Sequence, residues 1–463
     1  MLTLLILFIL LQLAIGWAAG RFIKSEQDYL LAGRNVGLIP ATFSVFATWF
    51  GAEVVMGSSG AIARQGLSGG RADPFGYALC LVLMGLLLAG WFRTRRYVTV
   101  GDFFGDQYGR RNEVLASVIL VLTSLIWAAA QIQAFALIVT ALVPGLDMVL
   151  GLFAAMSAVV IYTWFGGLWG DVVTDMVQGS LIVVGLLVLL VAMVMAAGGW
   201  QPAIAHIELW QLSPVERGAS WTSQLNGWAI PIIGSMVAPE ALTRTLATKN
   251  ATVARQACLW GGAMYFCVGS LVCAVALIGI PFLKGATDYG DMMLPNLVLS
   301  VFPGWMAVLF LAALVSAILS TIDSTLLSIA GMLGHNVLLP VIEKKTRHRL
   351  DEGQKVLLSR VIVVATGAAA MAVALGGKSI YGLVEMASSF GSAGFLVCVL
   401  GAIYGGRLRV GPLSATAVLL AGVVFTALFQ YVWQLPGYFL MNLASCGGLY
   451  LALGWLEAAR TTK

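Results

Sequence analysis

The sequence predicts an all-α polytopic membrane protein with about thirteen membrane-spanning helices. Of its 463 residues, 60% are hydrophobic and 10% are charged, and the mean hydropathy is +0.93, far above that of soluble domains. Apolar runs of about 18 residues or more recur along the whole chain and are joined by short polar connections. We therefore expect one integral membrane domain over residues 1–463.

The predicted spans begin with an N-terminal run that has no preceding positive charge, which favours a retained helix over a signal peptide. In chain order, the spans are 2–20, 37–63, 73–92, 112–142, 147–165, 171–197, 222–242, 256–282, 296–335, 356–375, 380–403, 411–430 and 436–457.

The basic residues predict the orientation of these spans. If the N-terminus is external, five of the 26 Lys and Arg residues fall in external segments, namely Arg64, Arg71, Arg217, Lys284 and Lys378. Short basic loops stay in the cytoplasm, so we expect an external N-terminus and a cytoplasmic C-terminus in a cell (inner) membrane. The basic stretch 343–349 is then a cytoplasmic loop, and no nucleic-acid partner is expected. The lipid bilayer is the expected environment, with a monomer as the functional unit.

Two spans have interrupted centres. The second contains the mixed stretch Ala47–Gly57, and the seventh contains Gly227, Pro231, Gly234 and Pro239. Interrupted helices at matching positions of two halves are typical of transporters built from inverted repeats, with the binding site at mid-membrane. We expect repeats over 37–197 and 222–403, preceded by a first helix and loop (1–36) and followed by C-terminal helices (404–463). Catalytic signatures such as H-E-x-x-H and G-x-S-x-G are absent from the sequence, so an enzyme is not expected.

The ninth span carries a polar face. Ser316, Ser320 and Asp323 fall within about 60° of one another on a helix. Hydroxyl groups in membrane helices often bond the carbonyl four residues back, but a carboxylate at mid-depth needs a partner or a watery cavity. Carbonyls freed near Ala47 and Phe50, together with these hydroxyls, indicate a site for a monovalent cation.

A second carboxylate, Asp175, lies at the start of the sixth span. It fits a second cation or a proton. Alternatively, Asp175, and with better reason Asp171, is a charge at a helix start that faces the cytoplasm.

Four ordered stretches resemble the sodium:solute symporter family, namely DYLLAGRNVG (28–37), GGLWGDVVTDMVQG (166–179), APEALTRTLATKN (238–250) and ALVSAILSTIDST (313–325). The resemblance implies thirteen helices around a LeuT-like five-plus-five inverted repeat, with Na⁺ as the coupling ion. The sodium ligands that it implies are the carbonyls of Ala47, Phe50 and Ala317 and the hydroxyls of Ser320 and Thr321. A second site, which some members have, maps onto Asp175, Ser320 and Ser324, with Asp323 where some members carry serine. The number of sodium ions therefore stays open, as does proton coupling.

A solute is expected beside the interrupted helices, at Trp49, Gly51, Glu53, Met56, Trp127, Gln131 and Glu240. The two tryptophans suggest a cation–π cage, although both could be packing residues. The stretches ATWFG and WAAAQ resemble the high-affinity choline transporter branch of the family, from which this chain departs by carrying Glu53 and, after Pro239, Glu240. Both changes add negative charge.

The sequence thus predicts a sodium-coupled symporter that imports a small organic solute by alternating access. An organic cation or a zwitterion such as an amino acid is favoured. The alternatives are a transporter-like membrane sensor and a proton-coupled symporter.

Overall fold

The computed structural model describes residues 2–143, 145–283, 290–376 and 379–461, and this part of the chain is helical. Lys284 and Lys378, two of the predicted external basic residues, lie outside it. The helices of the first half are α1 (Leu2–Ala19), α2 (Glu26–Leu31), α3 (Leu38–Trp49), α4 (Ser59–Gln65), α5 (Tyr77–Met84), α6 (Gly90–Thr94), α7 (Val100–Tyr108), α8 (Arg110–Leu142), α9 (Met148–Ala196) and α10 (Trp200–Ile204).

The second half continues the bundle. Its helices are α11 (Trp221–Ala229), α12 (Pro239–Leu246), α13 (Ala251–Gly279), α14 (Met293–Val301), α15 (Gly304–Gly331), α16 (Leu339–Thr346), α17 (Glu352–Ala374), α18 (Ile380–Ser389), α19 (Ser392–Tyr404), α20 (Pro412–Thr426) and α21 (Tyr438–Thr461). Wider π-helical turns join several of these helices, namely Glu53–Ser58, Arg71–Gly76, Gly85–Ala89, Ile230–Gly234, Met332–Leu338 and Ala427–Val432.

Within the described residues, nine helical stretches are long and apolar enough to cross a membrane. Nine is fewer than the predicted count, which stays a prediction. One difference arises at Gly167, where the predicted spans 147–165 and 171–197 meet. There α9 continues for 49 residues, with Gly167 at φ 51° as its non-helical residue. Glycine adopts this left-handed conformation without the clash that a Cβ would cause. The two predicted spans therefore join at a kink.

Helix α3 ends at Trp49, where Phe50 leaves the helical region with φ −77° and ψ 64°. The chain turns helical again at the π-helical turn Glu53–Ser58. In the second half, the chain between the π-helical turn Ile230–Gly234 and α12 is not helical, and α12 begins at Pro239. Proline suits a first helical position because its missing N–H would have no intrahelical partner there. Both non-helical stretches leave backbone groups free for other partners.

The central helix of the bundle is α15, which packs against α1, α8, α9 and α17 and contacts α3. The first helix is attached to it by an amide chain. Gln178 Nε2 donates to Gln12 Oε1 at 2.7 Å, and Gln12 Nε2 donates to the hydroxyl of Ser316. Helices α1 and α9 approach closely, since a Cβ on Gly166 would lie 3.2 Å from the Cα of Gly16. Small residues and buried amides of this kind hold helices together in a bilayer, where apolar packing against lipid and protein is similar.

Candidate ion and solute site

The end of α3 meets the middle of α15 at Thr321, which is fully buried. Its Oγ1 lies 3.3 Å from the carbonyl oxygen of Ala47 and 3.1 Å from that of Ala317. Three of the predicted sodium ligands therefore contribute oxygen atoms to one small region. Carbonyl and hydroxyl oxygens are ligands that suit a hard cation, because they replace its water at little cost in net charge.

Gly51 lies against this oxygen cluster. A Cβ on Gly51 would lie 2.7 Å from Thr321 Oγ1 and 2.8 Å from Gln131 Oε1, so the close approach requires glycine. The next residue, Ala52, donates its N–H to Gln131 Oε1 at 3.0 Å. Gln131 thus ties the chain beyond the end of α3 to α8. The ring of Phe50 stacks on that of Phe46, with centroids 4.6 Å apart.

Ser320 faces two carboxylates. Its Oγ lies 2.8 Å from Asp171 Oδ1 and also contacts Asp175 Oδ1. The other carboxylate oxygen of Asp175, Oδ2, accepts a hydrogen bond from the Ser44 hydroxyl at 2.7 Å. Asp171 and Asp175 are both fully buried. Both follow the kink of α9 at Gly167 and therefore lie near the start of a helical segment. Their burial beside Ser320 argues against the alternative in which they are charges that face the cytoplasm.

Arg244 is the counter-charge of these acids. Arg244 follows the predicted seventh span, 222–242, and is one of the Lys and Arg residues that the predicted orientation places in cytoplasmic connections. That prediction is wrong, because Arg244 belongs to α12 and is 2% exposed. Its Nη2 forms an ion pair with Asp171, lies 4.0 Å from Asp175 and contacts the hydroxyl of Ser324. Its Nε donates to Thr48 Oγ1 at 3.1 Å. The guanidinium group thus occupies one side of the predicted second cation site.

Asp323 lies on the same side of α15 and is fully buried. Within the described residues, neither carboxyl oxygen has a hydrogen-bond partner. Thr163 faces it, but the Thr163 hydroxyl donates to the carbonyl of Val159 at 2.9 Å. Three buried carboxyl groups thus share one guanidinium group. Since uncompensated buried charge is costly, this excess of acidic groups favours added positive charge or protonation. Within the described residues, no group of three or more His, Cys, Asp and Glu side chains is arranged to hold a metal ion.

A cavity opens beside the end of α3. The empty space is about 450 Å³, including any part open to solvent, and three of the predicted solute residues line it, namely Trp49, Trp127 and Glu240. The indole of Trp49 donates to Glu240 Oε1 at 3.2 Å. The indole N–H of Trp127 has no partner among the described residues. Leu120, Ser235, Ser388, Phe390 and Phe395 complete much of the wall.

The other predicted solute residues lie elsewhere. Glu53 lines a second cavity of about 310 Å³ with Arg71, Tyr77, Tyr381 and Glu385. Gly51, Met56 and Gln131 line neither cavity. Met56 is fully buried.

The wall between the two cavities is polar. Tyr77, from the wall of the second cavity, and Ser388, from the wall of the first, share a hydrogen bond of 2.8 Å. The carboxyl group of Glu53 faces that of Asp73, which accepts from the Tyr265 hydroxyl. The sequence prediction missed Asp73. An acidic residue beside an apolar span is the signal that could have identified it.

A helical membrane bundle with a buried oxygen cluster beside a cavity is the architecture of a secondary transporter. The sequence model of the sodium:solute symporter family matches residues 29–418, and the chain belongs to this family. It is a multi-pass membrane symporter whose coupling ion is Na⁺.

Curated relatives agree with this assignment. The chain is 29% identical over 421 residues to the high-affinity choline transporter 1 of Caenorhabditis elegans, covering 82% of this chain and 69% of that protein. It is 25% identical over 463 residues to the sodium/proline symporter of Escherichia coli, covering 95% and 88%.

Solved structures share the fold. A Na⁺-coupled sialic acid symporter in a substrate-bound outward-open state superposes with a TM-score of 0.82 at 16% identity, covering 98% of this chain and 97% of that one. A nucleobase-cation-symport-1 family transporter in a closed conformation gives 0.59 at 16% identity, covering 93% and 94%. Both neighbours are LeuT-like, and at these identities they establish the architecture of the bundle and not the solute.

Proposed function

We propose that this sodium-coupled symporter imports a small organic solute that carries a positively charged ammonium group, either an organic cation or a zwitterion such as an amino acid. The observation that carries the proposal is the position of Glu240. Its side chain is buried, and among the described residues it is the one charged residue that lines the cavity of about 450 Å³. Glu240 accepts a hydrogen bond from Trp49 and interacts with Arg244, but no cationic side chain among the described residues lines the cavity beside it. A buried carboxylate in this position favours a cationic occupant.

Aromatic rings strengthen this preference. Trp49 and Trp127 line the cavity from α3 and α8, and cations bind over indole faces more favourably than over other aromatic rings. The indole N–H of Trp49 also orients the Glu240 carboxylate. Choline and proline, the solutes named for two relatives, both carry a cationic nitrogen.

A specific donor favours the zwitterion within this class. Trp127 Nε1 is buried, has no partner among the described residues and belongs to the cavity wall. A solute carboxylate would accept from it in a charge-assisted hydrogen bond, whereas choline offers only a neutral hydroxyl oxygen, which is a weaker acceptor.

The sodium site that we propose uses the carbonyls of Ala47, Phe50 and Ala317 and the hydroxyls of Ser320 and Thr321. The convergence of Ala47, Ala317 and Thr321 supports it. With about 100 mV across the membrane and a tenfold gradient, each Na⁺ supplies about 3.7 kcal/mol, enough for about 500-fold accumulation of a neutral solute. Unpaired Asp323, together with Asp175 and Ser324, favours one further cation, for which a proton is the second candidate.

The remaining parts of the proposal concern the whole molecule. We propose that 37–197 and 222–403 are the two inverted repeats, that 1–36 and 404–463 flank them, and that both interrupted helices contribute to the site. The N-terminus is external, the C-terminus is cytoplasmic and the monomer is the transporting unit. Transport by alternating access then moves the repeats around a fixed site.

A thermal-shift screen of the purified chain tests the solute class. Choline, glycine betaine, proline, putrescine, acetate and glucose are compared in Na⁺ and in K⁺. An ammonium-bearing solute at 100 times its Kd should stabilise the protein by about 2.7 kcal/mol. We expect this stabilisation in the Na⁺ buffer and not in the K⁺ buffer. Glu240→Gln should abolish the shift.

Glu208→Gln is the matched control for this variant. Glu208 also accepts from an indole, that of Trp210 at 2.7 Å, but lies outside both cavities. Stabilisation by acetate or glucose and by none of the ammonium compounds would contradict the proposal, as would an undiminished shift in Glu240→Gln.

A further inference from the structure

A second kind of site lies at the end of the bundle where α6 ends and α13 begins. An open cavity there, with about 1200 Å³ of empty space including open solvent, is lined by four basic residues, Arg34, Arg93, Arg96 and Lys249. Asn250 and Ala251 also line it, and no acidic residue does so among the described residues. This cavity, which we call the basic cavity, is separate from the ion and solute site.

Two of the guanidinium groups are fixed by backbone carbonyls. Arg93 donates through Nε to Thr248 O at 2.5 Å and through Nη2 to Lys249 O at 3.0 Å. Arg34 donates through Nη2 to Arg96 O at 2.7 Å and to Tyr97 O at 3.1 Å. Carbonyl oxygens orient a guanidinium group without neutralising it. The charges are therefore held in place and left uncompensated.

The nearby carboxylate, that of Asp102, already accepts hydrogen bonds from other groups. Asp102 acts on Arg34 from a distance, but it accepts from Val98 N at 2.7 Å and from Asn336 Nδ2 at 2.6 Å. Burial and the positive charge of Arg93 lower the pKa of Arg34 from its ordinary value. Among the described residues, Arg34, Arg93, Arg96 and Lys249 form no ion pair. These four like charges repel one another.

The backbone is also strained around this cavity. Arg34 and Arg96 both have left-handed conformations, with φ 58° and 59°, which cost a side-chain-bearing residue about 1 kcal/mol or more each. In addition, α13 begins at Ala251 with its positive dipole end at the cavity. Like charges, strain and a helix N-terminus thus converge on one space.

We infer that the basic cavity binds a phosphate-bearing anion, either the headgroup phosphodiester of an anionic lipid or free phosphate. Planar guanidinium groups match the geometry of phosphate oxygens. Arg34 Nη1 is buried and has no partner among the described residues, so one donor is free for such a ligand. In the proposed orientation, this cavity faces the cytoplasmic side, where anionic headgroups attract basic residues.

Binding to the full-length chain in a non-ionic detergent tests the inference. The three probes are dioctanoyl phosphatidylglycerol, inorganic phosphate and, as the phosphate-free lipid, dioctanoylglycerol. Binding of phosphatidylglycerol alone identifies a lipid headgroup, and binding of phosphate alone identifies a free anion. Binding of both supports the shared chemistry. Failure of both to bind, or equal binding of dioctanoylglycerol, overturns the inference.

Variants localise the site. The Arg34→Gln and Lys249→Gln double variant should weaken binding about 25-fold, since each charge contributes about fivefold. The matched control is the Lys344→Gln and Lys345→Gln double variant, which removes two charges from α16, outside the basic cavity, and should change the Kd less than about twofold. Equal losses in both double variants would overturn the inference.

If the Arg34 variant fails to fold, Lys249→Gln alone decides the matter. The Lys249 side chain is exposed, and the backbone N–H of Lys249, which donates to Val36 O at 3.0 Å, is unaffected by the substitution. The variant should therefore weaken binding about fivefold. An unchanged Kd would refute the site. Because the readout is anion binding, this test is independent of the proposed solute.

Discussion

Arg244 and Asp171 form an ion pair inside the bundle, with side chains 1% and 0% exposed. The pair joins α12 to the middle of α9 beside the polar face of α15. Removing one partner of such a pair leaves the other charge buried and unpaired, which costs far more than the pair contributes. The pair is therefore the point at which stability and ion binding are expected to be coupled.

Asp171→Asn should lower the free energy of unfolding by about 3 kcal/mol, because the Arg244 charge loses its main partner. The melting temperature of the purified chain measures the loss. Lys355→Gln is the control, since its partner Glu352 is 48% exposed and an exposed pair contributes under about 1 kcal/mol. A double variant with Arg244→Gln should recover part of the loss, and purely additive losses would contradict the pairing.

Thr321→Ala should raise the Na⁺ concentration for half-maximal solute binding about tenfold, because one oxygen ligand worth about 1.4 kcal/mol is removed. Thr325→Ala provides the comparison. It removes the same hydroxyl one turn later, where that group bonds the Thr321 carbonyl at 2.8 Å, and a shift below about twofold is expected. Equal shifts in the two variants would show that Thr321 is not a ligand.

Gly51→Ala should weaken Na⁺-dependent solute binding about tenfold or more, because the added methyl group displaces Thr321 Oγ1 or Gln131 Oε1. Gly57→Ala is the matched control, since its Cβ would meet Tyr381 at 3.8 Å, an ordinary contact distance. Ligand-induced thermal shifts in Na⁺ report both effects. If the Gly51→Ala variant shows normal Na⁺-dependent solute binding, the close approach of Gly51 to Thr321 is not required for binding.

The proposed orientation predicts which loops an impermeant maleimide reaches. In a background with the exposed native Cys267 replaced by serine, Val215→Cys should be labelled in intact cells. Lys345→Cys should be labelled after permeabilisation. Both native side chains are exposed, so accessibility of the loop decides the result. Labelling in the reverse order would invert the topology.

The helical periodicity of α15 was sufficient to place Ser320 and Asp323 on one buried face. Local sequence also indicated the end of α3, because a mixed stretch within an apolar run is typical of an interrupted membrane helix. The meeting of Thr321 with Ala47, 274 residues away, required in addition the resemblance to a family.

Arg244 escaped prediction for a physical reason. A basic residue near the end of an apolar run looks like a loop charge in any count of cytoplasmic lysines and arginines. Its partner Asp171 is 73 residues away, and hydropathy alone gives no sign of the pairing. The second cavity was missed similarly, since Glu385 of α18 meets Glu53 and Arg71, from the first half of the chain, only by the packing of distant helices.

The amide chain through Gln12 gives the first helix a role that its place outside both proposed repeats does not suggest. Ser316 lies one turn before Ser320 on α15, so a rotation or sliding of that helix would change the hydrogen bond between Ser316 and Gln12. Gln12 also accepts a hydrogen bond from Gln178 of α9. The N-terminal segment therefore bridges one helix from each proposed repeat, and a relative displacement of α9 and α15 would have to stretch or break one of these two hydrogen bonds.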